Sequence, residues 1–113
     1  MTPDDRESMI TAMRDAIVRT IHPFQIILFG SFAKGNPSVN SDVDLLIVEE
    51  GTFGPERSHR KEAARIWQAL MQFEVPKDIL LYSRDEVARK ENDDLHVIGQ
   101  AMRTGKILYE NAQ

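Results

Sequence analysis

The fold is decided by Gln25-Ile26-Ile27-Leu28-Phe29-Gly30-Ser31, followed after ten residues by Asp42-Val43-Asp44-Leu45-Leu46-Ile47-Val48. Gln25 to Phe29 is apolar without the alternation of a half-buried strand, so it reads as a short strand covered on both faces and closed by Gly30-Ser31. Val43 to Val48 has the same character apart from Asp44. Between them, Phe32 to Ser41 is rich in turn formers, with Lys34-Gly35-Asn36-Pro37 at its centre. Two acids therefore stand at the head of a buried strand. Positions i and i+2 of a strand share a face, so Asp42 and Asp44 point the same way and can meet one ion. Carboxylates crowded at the end of an apolar strand repel each other and resist desolvation, at a cost of roughly several kcal/mol unless a cation neutralises them. A hard divalent ion answers this; magnesium takes one or two carboxylates, keeps some waters and completes its shell with substrate phosphate oxygens.

The Gly30-Ser31 pair supplies the other half of a phosphate site. Glycine allows a sharp turn and a close backbone approach, and exposed N–H groups with the Ser31 hydroxyl can donate to phosphate oxygens. Lys34 can place a positive charge over the same phosphates. Asp78, directly before the apolar run Ile79-Leu80-Leu81-Tyr82, can add a third carboxylate if the second and third strands are neighbours. Together these parts suit nucleotidyl transfer, in which metal ions held by aspartates bind the triphosphate, activate the attacking hydroxyl and stabilise the leaving pyrophosphate. Each part has a plainer reading. Gly30-Ser31 alone is a strand-to-helix turn, Asp78 alone a turn residue before a strand, and Lys34 alone a solvated loop lysine.

Outward from this centre, Thr2 reads as the N-cap of an amphipathic helix with Pro3 first and Met9, Ile10, Met13, Ile17 and Ile21 on its core face; His22-Pro23 ends it. Gly51 to Pro55 is a break. Glu56 to Phe73 carries a helical stripe of Ala63, Ile66, Trp67, Leu70 and Met71, which places Trp67 in the core, and Val75-Pro76 bounds it. Arg57, His59, Arg60, Lys61 and Arg65 make the early part of this helix basic: a solvated face, or one that touches a partner or phosphates. Ser83-Arg84-Asp85-Glu86 has capping-box spacing, and Leu95, Ile98, Ala101 and Met102 form a last helical pattern that stops at Gly105, before a terminal strand at Ile107-Leu108-Tyr109. The order predicts an α/β (α+β) fold with a small mixed sheet flanked by helices, and one domain over 1–113.

Composition narrows the function classes. The chain has 113 residues, 42% hydrophobic and 28% charged, enough for one core but not for a second domain enclosing a substrate. Fourteen Lys and Arg against 18 Asp and Glu give a net charge of −4, which argues against nucleic acid held mainly by phosphate neutralisation. No stretch approaches the roughly 18 apolar residues of a membrane span, and Met1-Thr2-Pro3-Asp4-Asp5 is acidic where a signal peptide is basic and then apolar. A cytoplasmic protein is the expectation. Without cysteine there is no disulfide, thiolate zinc site or Cys nucleophile, and His22, His59 and His96 lie far apart, so oxygen is the expected metal donor.

Gly30-Ser31, ten residues, then Asp42-Val43-Asp44 resembles the signature of the DNA polymerase β-like nucleotidyltransferase superfamily, and nearly the whole chain resembles its minimal nucleotidyltransferase (MNT) branch. Gly30-Ser31-Phe32-Ala33-Lys34-Gly35 is similar to that branch's glycine-serine-aromatic-alanine-basic-glycine run. Ser41-Asp42-Val43-Asp44-Leu45-Leu46 is similar to its Ser-Asp-x-Asp-Leu strand, and Pro76-Lys77-Asp78-Ile79-Leu80 to its aspartate before the third strand, a shorter match. The close, Gly105-Lys106-Ile107-Leu108-Tyr109-Glu110, is also similar. The resemblance implies a mixed-sheet palm in which Asp42 and Asp44 hold two Mg²⁺ ions, Asp78 helps activate the acceptor hydroxyl, and Gly30, Ser31, Lys34 and Ser41 bind the nucleotide triphosphate. It further implies an antitoxin acting on a HEPN-domain RNase toxin, some members of the branch transferring AMP from ATP to a toxin tyrosine.

Three rival functions use the same fold. One is an antitoxin that neutralises its partner by occlusion without transfer. Another is nucleotidyl transfer to a small molecule, as in aminoglycoside nucleotidyltransferases, which resemble this chain only over the palm and add a second domain. The third, nucleic-acid tailing, needs further domains and a basic track.

Overall fold

A computed structural model describes residues 2–35 and 42–111. The elements run α1 (Pro3–Ile21), β1 (Gln25–Phe29), α2 (Gly30–Ala33), β2 (Val43–Glu49), α3 (His59–Leu70), β3 (Lys77–Ser83), α4 (Arg84–Lys90), α5 (Val97–Thr104) and β4 (Lys106–Glu110). The Thr2 hydroxyl accepts from the Asp5 N–H at 3.1 Å while the Asp5 carboxylate accepts from the Thr2 N–H at 3.2 Å, so α1 starts at a full capping box. It stops where His22 turns left-handed at φ 50° ahead of Pro23. No helix among the described residues is long and apolar enough to cross a membrane.

The four strands form one sheet in the order β3-β2-β1-β4. β1 is antiparallel to both of its neighbours, whereas β2 and β3 run parallel, joined through α3. Both faces are covered, as the unbroken apolar runs of β1 and β2 require. On one face Ile26, Leu28, Val43, Leu45, Ile47 and Leu81 pack against Ile10, Met13 and Ile17 of α1 and Ile66 and Leu70 of α3. On the other, Ile27, Leu46 and Val48 meet Val87 of α4 and Ile98 and Ala101 of α5. β4 zips onto β1 with a register shift between Ile26 and Ile27, and Gly105 stands at the joint because a Cβ there would collide with the Ala101 carbonyl.

The second half departs from the sequence expectation in three places. α3 begins at His59 and not at Glu56, because the Ser58 hydroxyl caps it through the Lys61 N–H at 3.2 Å while Gly54 and Arg57 bridge each other in a turn. Ile66 and Leu70 fill the core, but Trp67 is turned away to 41% exposure and Met71 to 74%, so Trp67 is not a core residue. Two helices follow β3, and the last helical pattern loses its first member. Ser83 and Glu86 form the capping box of α4, and His96 caps α5 by accepting the Ile98 N–H on Nδ1 at 3.1 Å, which leaves Leu95 outside the helix and 94% exposed.

The basic cluster also divides. Arg57 Nη2 lies 2.8 Å from Glu49, which is buried at the end of β2, and Arg65 pairs with Glu62 at 3.0 Å and donates to the Thr20 carbonyl at 2.6 Å. Burial, and then the adjoining Glu62 carboxyl, push the Glu49 carboxyl up to about 7 despite Arg57. His59 Nε2 sits 2.8 Å from the Leu81 carbonyl oxygen. Arg57 and His59 therefore tie the start of α3 to β2 and β3, Arg65 ties the helix to α1, and Arg60 and Lys61 keep the solvated character expected of the group.

The start of α5 at the His96 cap separates two leucine-sized side chains that sequence periodicity treats alike. Ile98→Ala, at 1% exposure, is expected to cost about 2–5 kcal/mol in a urea titration. Leu95→Ala is expected to stay within about 0.5 kcal/mol of the parent.

Candidate active site at the head of the sheet

The C-terminal end of β1 and the heads of β2 and β3 coincide at one end of the sheet. Phe29 pairs with Asp44, and Asp44 pairs in turn with Asp78. Because β2 and β3 are parallel and in register, the Asp44 and Asp78 side chains leave the same face, the one that Leu46 and Leu80 continue toward α4 and α5. Asp42 lies two residues before Asp44, exposed at the mouth of the strand. The condition set by the sequence, that the second and third strands be neighbours, is met.

The register is held by bonds at the strand heads. The Val43 N–H donates to the Pro76 carbonyl at 2.8 Å, tying the start of β2 to the residue before β3. Lys77 Nζ donates to the Phe73 carbonyl at 2.9 Å and the Val75 carbonyl at 3.3 Å, and lies 5.9 Å from the centre of the Trp67 ring. Lys77 thus anchors the loop that delivers Asp78. The sequence reading did not single it out, and its only signal was its place inside Pro76-Lys77-Asp78.

Crowding is visible in the electrostatics. Burial, then the charge of Asp78, then that of Asp42 raise the Asp44 carboxyl above the ordinary aspartate value. The Gly30 backbone adds to the enclosure. It sits at φ +73°, in the left-handed region, and a Cβ built there would strike the Asp44 carboxylate oxygen Oδ2. Only a glycine lets the loop pass this close to the acid.

Gly30 opens α2, whose N-cap residue, Phe29, offers no side-chain acceptor to the first-turn amides. Ser31 is half-buried in that turn, and the Lys34 and Gly35 N–H groups close it onto the Gly30 and Phe32 carbonyls at 3.2 and 3.3 Å. Lys34 is exposed and makes no ion pair among the described residues. Ser41, the remaining expected nucleotide contact, lies outside the described residues.

Among the described residues no three His, Asp or Glu side chains converge into a ready-made metal cage. The donor set is nevertheless one that a magnesium ion fits. It offers Asp44 and Asp78 side by side across the parallel ladder, with Asp42 just ahead of β2 and its charge felt at Asp44. An ion of that kind draws the rest of its shell from water and phosphate oxygens.

A sequence model of the family described as "Polymerase beta, Nucleotidyltransferase" matches residues 15–113. Among solved structures, a protein of Sulfolobus solfataricus assigned as a nucleotidyltransferase superposes with a TM-score of 0.62 at 14% identity, covering 94% of this chain and 81% of that one. A toxin–antitoxin structure with AMP-PNP follows at 0.53 and 21% identity, covering 91% and 75%. A mutant of the toxin–antitoxin MntA-HpeT, with two aspartates two residues apart replaced by glutamate, scores 0.51 at 20% identity and covers 96% and 75%. These likenesses establish the fold. No curated protein matches the chain.

Asp44 gives the site a stability signature. Its carboxyl is raised in the folded chain, so its contribution to stability is fully present below the ordinary value of 3.8 and is lost as pH rises through the folded-state value. With metal removed by EDTA, Asp44→Asn is expected to unfold at higher denaturant concentration than the parent at pH 7. The advantage should shrink steadily toward pH 3, as followed by circular dichroism.

Proposed function

The chain belongs to the polymerase beta nucleotidyltransferase family, and from that premise we propose that it transfers AMP from Mg-ATP to a hydroxyl group of a protein partner. The observation that carries the reading is the in-register pairing of Asp44 with Asp78 beside Asp42, under a loop whose glycine is required by the closeness of Asp44. Asp42 and Asp44 are the metal ligands, Asp78 is a ligand and the general base, and Gly30, Ser31, Lys34 and Ser41 cradle the triphosphate.

Bound magnesium supplies charge neutralisation for the triphosphate and lowers the pKa of the attacking hydroxyl. The chain's own residues do the rest. Gly30 and Ser31 hold the phosphates so that the α-phosphorus faces the acids, and Asp78 takes the proton of the acceptor hydroxyl as its oxygen bonds to that phosphorus. The bond from the α-phosphorus to the bridging oxygen breaks, and pyrophosphate leaves. Lys77 keeps Asp78 at the height of Asp44 throughout.

The partner is a HEPN RNase toxin, which makes this chain the antitoxin of the pair. Support comes from two fold neighbours that are toxin–antitoxin structures, one of them with AMP-PNP. In the other, two aspartates with the spacing of Asp42 and Asp44 were replaced by glutamate.

Intact-mass spectrometry of a candidate HEPN partner incubated with this protein, ATP and Mg²⁺ tests the reading. The partner is expected to gain one or more AMP units, and the Asp42→Asn/Asp44→Asn double variant, native by circular dichroism, is expected to add none. Transfer retained in the double variant overturns the assignment of the acids. A stable complex without mass gain replaces transfer with occlusion.

A further inference from the structure

α3 turns one face to the sheet through Ile66 and Leu70 and leaves the opposite face to solvent. Along that outer face Arg60, Ala64, Trp67 and Met71 are all exposed, and they follow one another at intervals of four, three and four. This spacing draws a single stripe along a helix. The large exposed hydrophobic side chains among the described residues are Trp67, Met71, Leu95 and Ile107, and two of them lie on this stripe. Lys77 Nζ lies 5.9 Å from the centre of the Trp67 ring, so the indole borders the loop before β3.

We propose that this face is the contact surface between two copies of the chain, packed as antiparallel α3 helices around a two-fold axis. The stripe is complementary to itself. With the axis between Ala64 and Trp67, each indole lies over the small Ala64 of the other copy, and each Arg60 lies beside the other copy's Met71. Large meets small at the centre, as close helix packing requires. At both ends a guanidinium meets the C-terminal end of the partner helix, where the last carbonyls carry partial negative charge. Glu74, exposed just beyond that end, adds a full negative charge, and Lys61 a second positive one at the opposite end. A contact of this kind is isologous and closes at two copies.

Trp67 is the only tryptophan of the chain, so intrinsic fluorescence reports on this face alone. Sedimentation equilibrium and tryptophan emission are measured together from about 1 µM to about 300 µM, a range that brackets micromolar affinity. The weight-average mass is expected to rise from one chain toward two, with the emission moving to shorter wavelength over the same range. Ala64→Arg, an exposed helical change that leaves the circular dichroism native, is expected to weaken association at least about 10-fold. Arg60→Glu should weaken it too, and Arg60→Glu combined with Glu74→Arg should restore it. A chain that stays monomeric throughout overturns the proposal. So does a dimer whose emission does not move, or one that Ala64→Arg leaves intact. No acceptor or nucleotide enters the measurement, so its result is independent of the transfer reaction.

Discussion

Carboxylates crowd at one end of the sheet because two strands that each carry an aspartate as their second residue run parallel and in register. Asp44 sits between Asp78 across the ladder and Asp42 two residues back, with the Gly30 backbone closing over it. The chain holds the arrangement from outside the cluster. Val43 is bonded to Pro76, and Lys77 is bonded to two carbonyls of the preceding loop. Repulsion among the acids is thus opposed by backbone hydrogen bonds and by the apolar strands behind them, Leu45 to Val48 and Ile79 to Leu81. A cation would relieve what the scaffold can only withstand.

The first half of the fold was legible because its signals are local. Thr2, Pro3 and His22-Pro23 bound α1, and Gln25 to Phe29 reads as the buried strand that it forms. The second half depends on partners distant in sequence. Trp67 falls within the spacing tolerance of a core stripe, but the sheet presents room only for Ile66 and Leu70, and the neighbouring position turns outward. Leu95 fits a helical period with Ile98, yet the His96 side chain caps the helix one residue later. Of the candidate site, the place of Asp44 at the head of β2 with Asp42 just ahead of it, and the tight turn at Gly30, were readable from type and spacing. Whether Asp78 belongs with them depended on strand order, which no local pattern encodes, and the Lys77 tether depends on where a loop passes in three dimensions.

The two faces of the sheet carry different duties. The acids project on the side of α4 and α5, while α1 and α3 cover the other side. α3 links the two, since its C-terminal end feeds the loop that Lys77 anchors, and its outer stripe lies on the far surface.

At the other end of β2, burial and the neighbouring Glu62 push the Glu49 carboxyl up to about 7 although Arg57 lies beside it. The formal net charge of −4 counts it as fully ionised. Near neutrality the folded chain instead retains part of a proton there, which the unfolded chain, with an ordinary glutamate, gives up. Part of the heat absorbed in melting the protein at pH 7 is therefore the heat of passing that proton to the buffer. Calorimetric enthalpies taken in phosphate and in an amine buffer will differ by a fraction of the difference between the two buffers' heats of protonation.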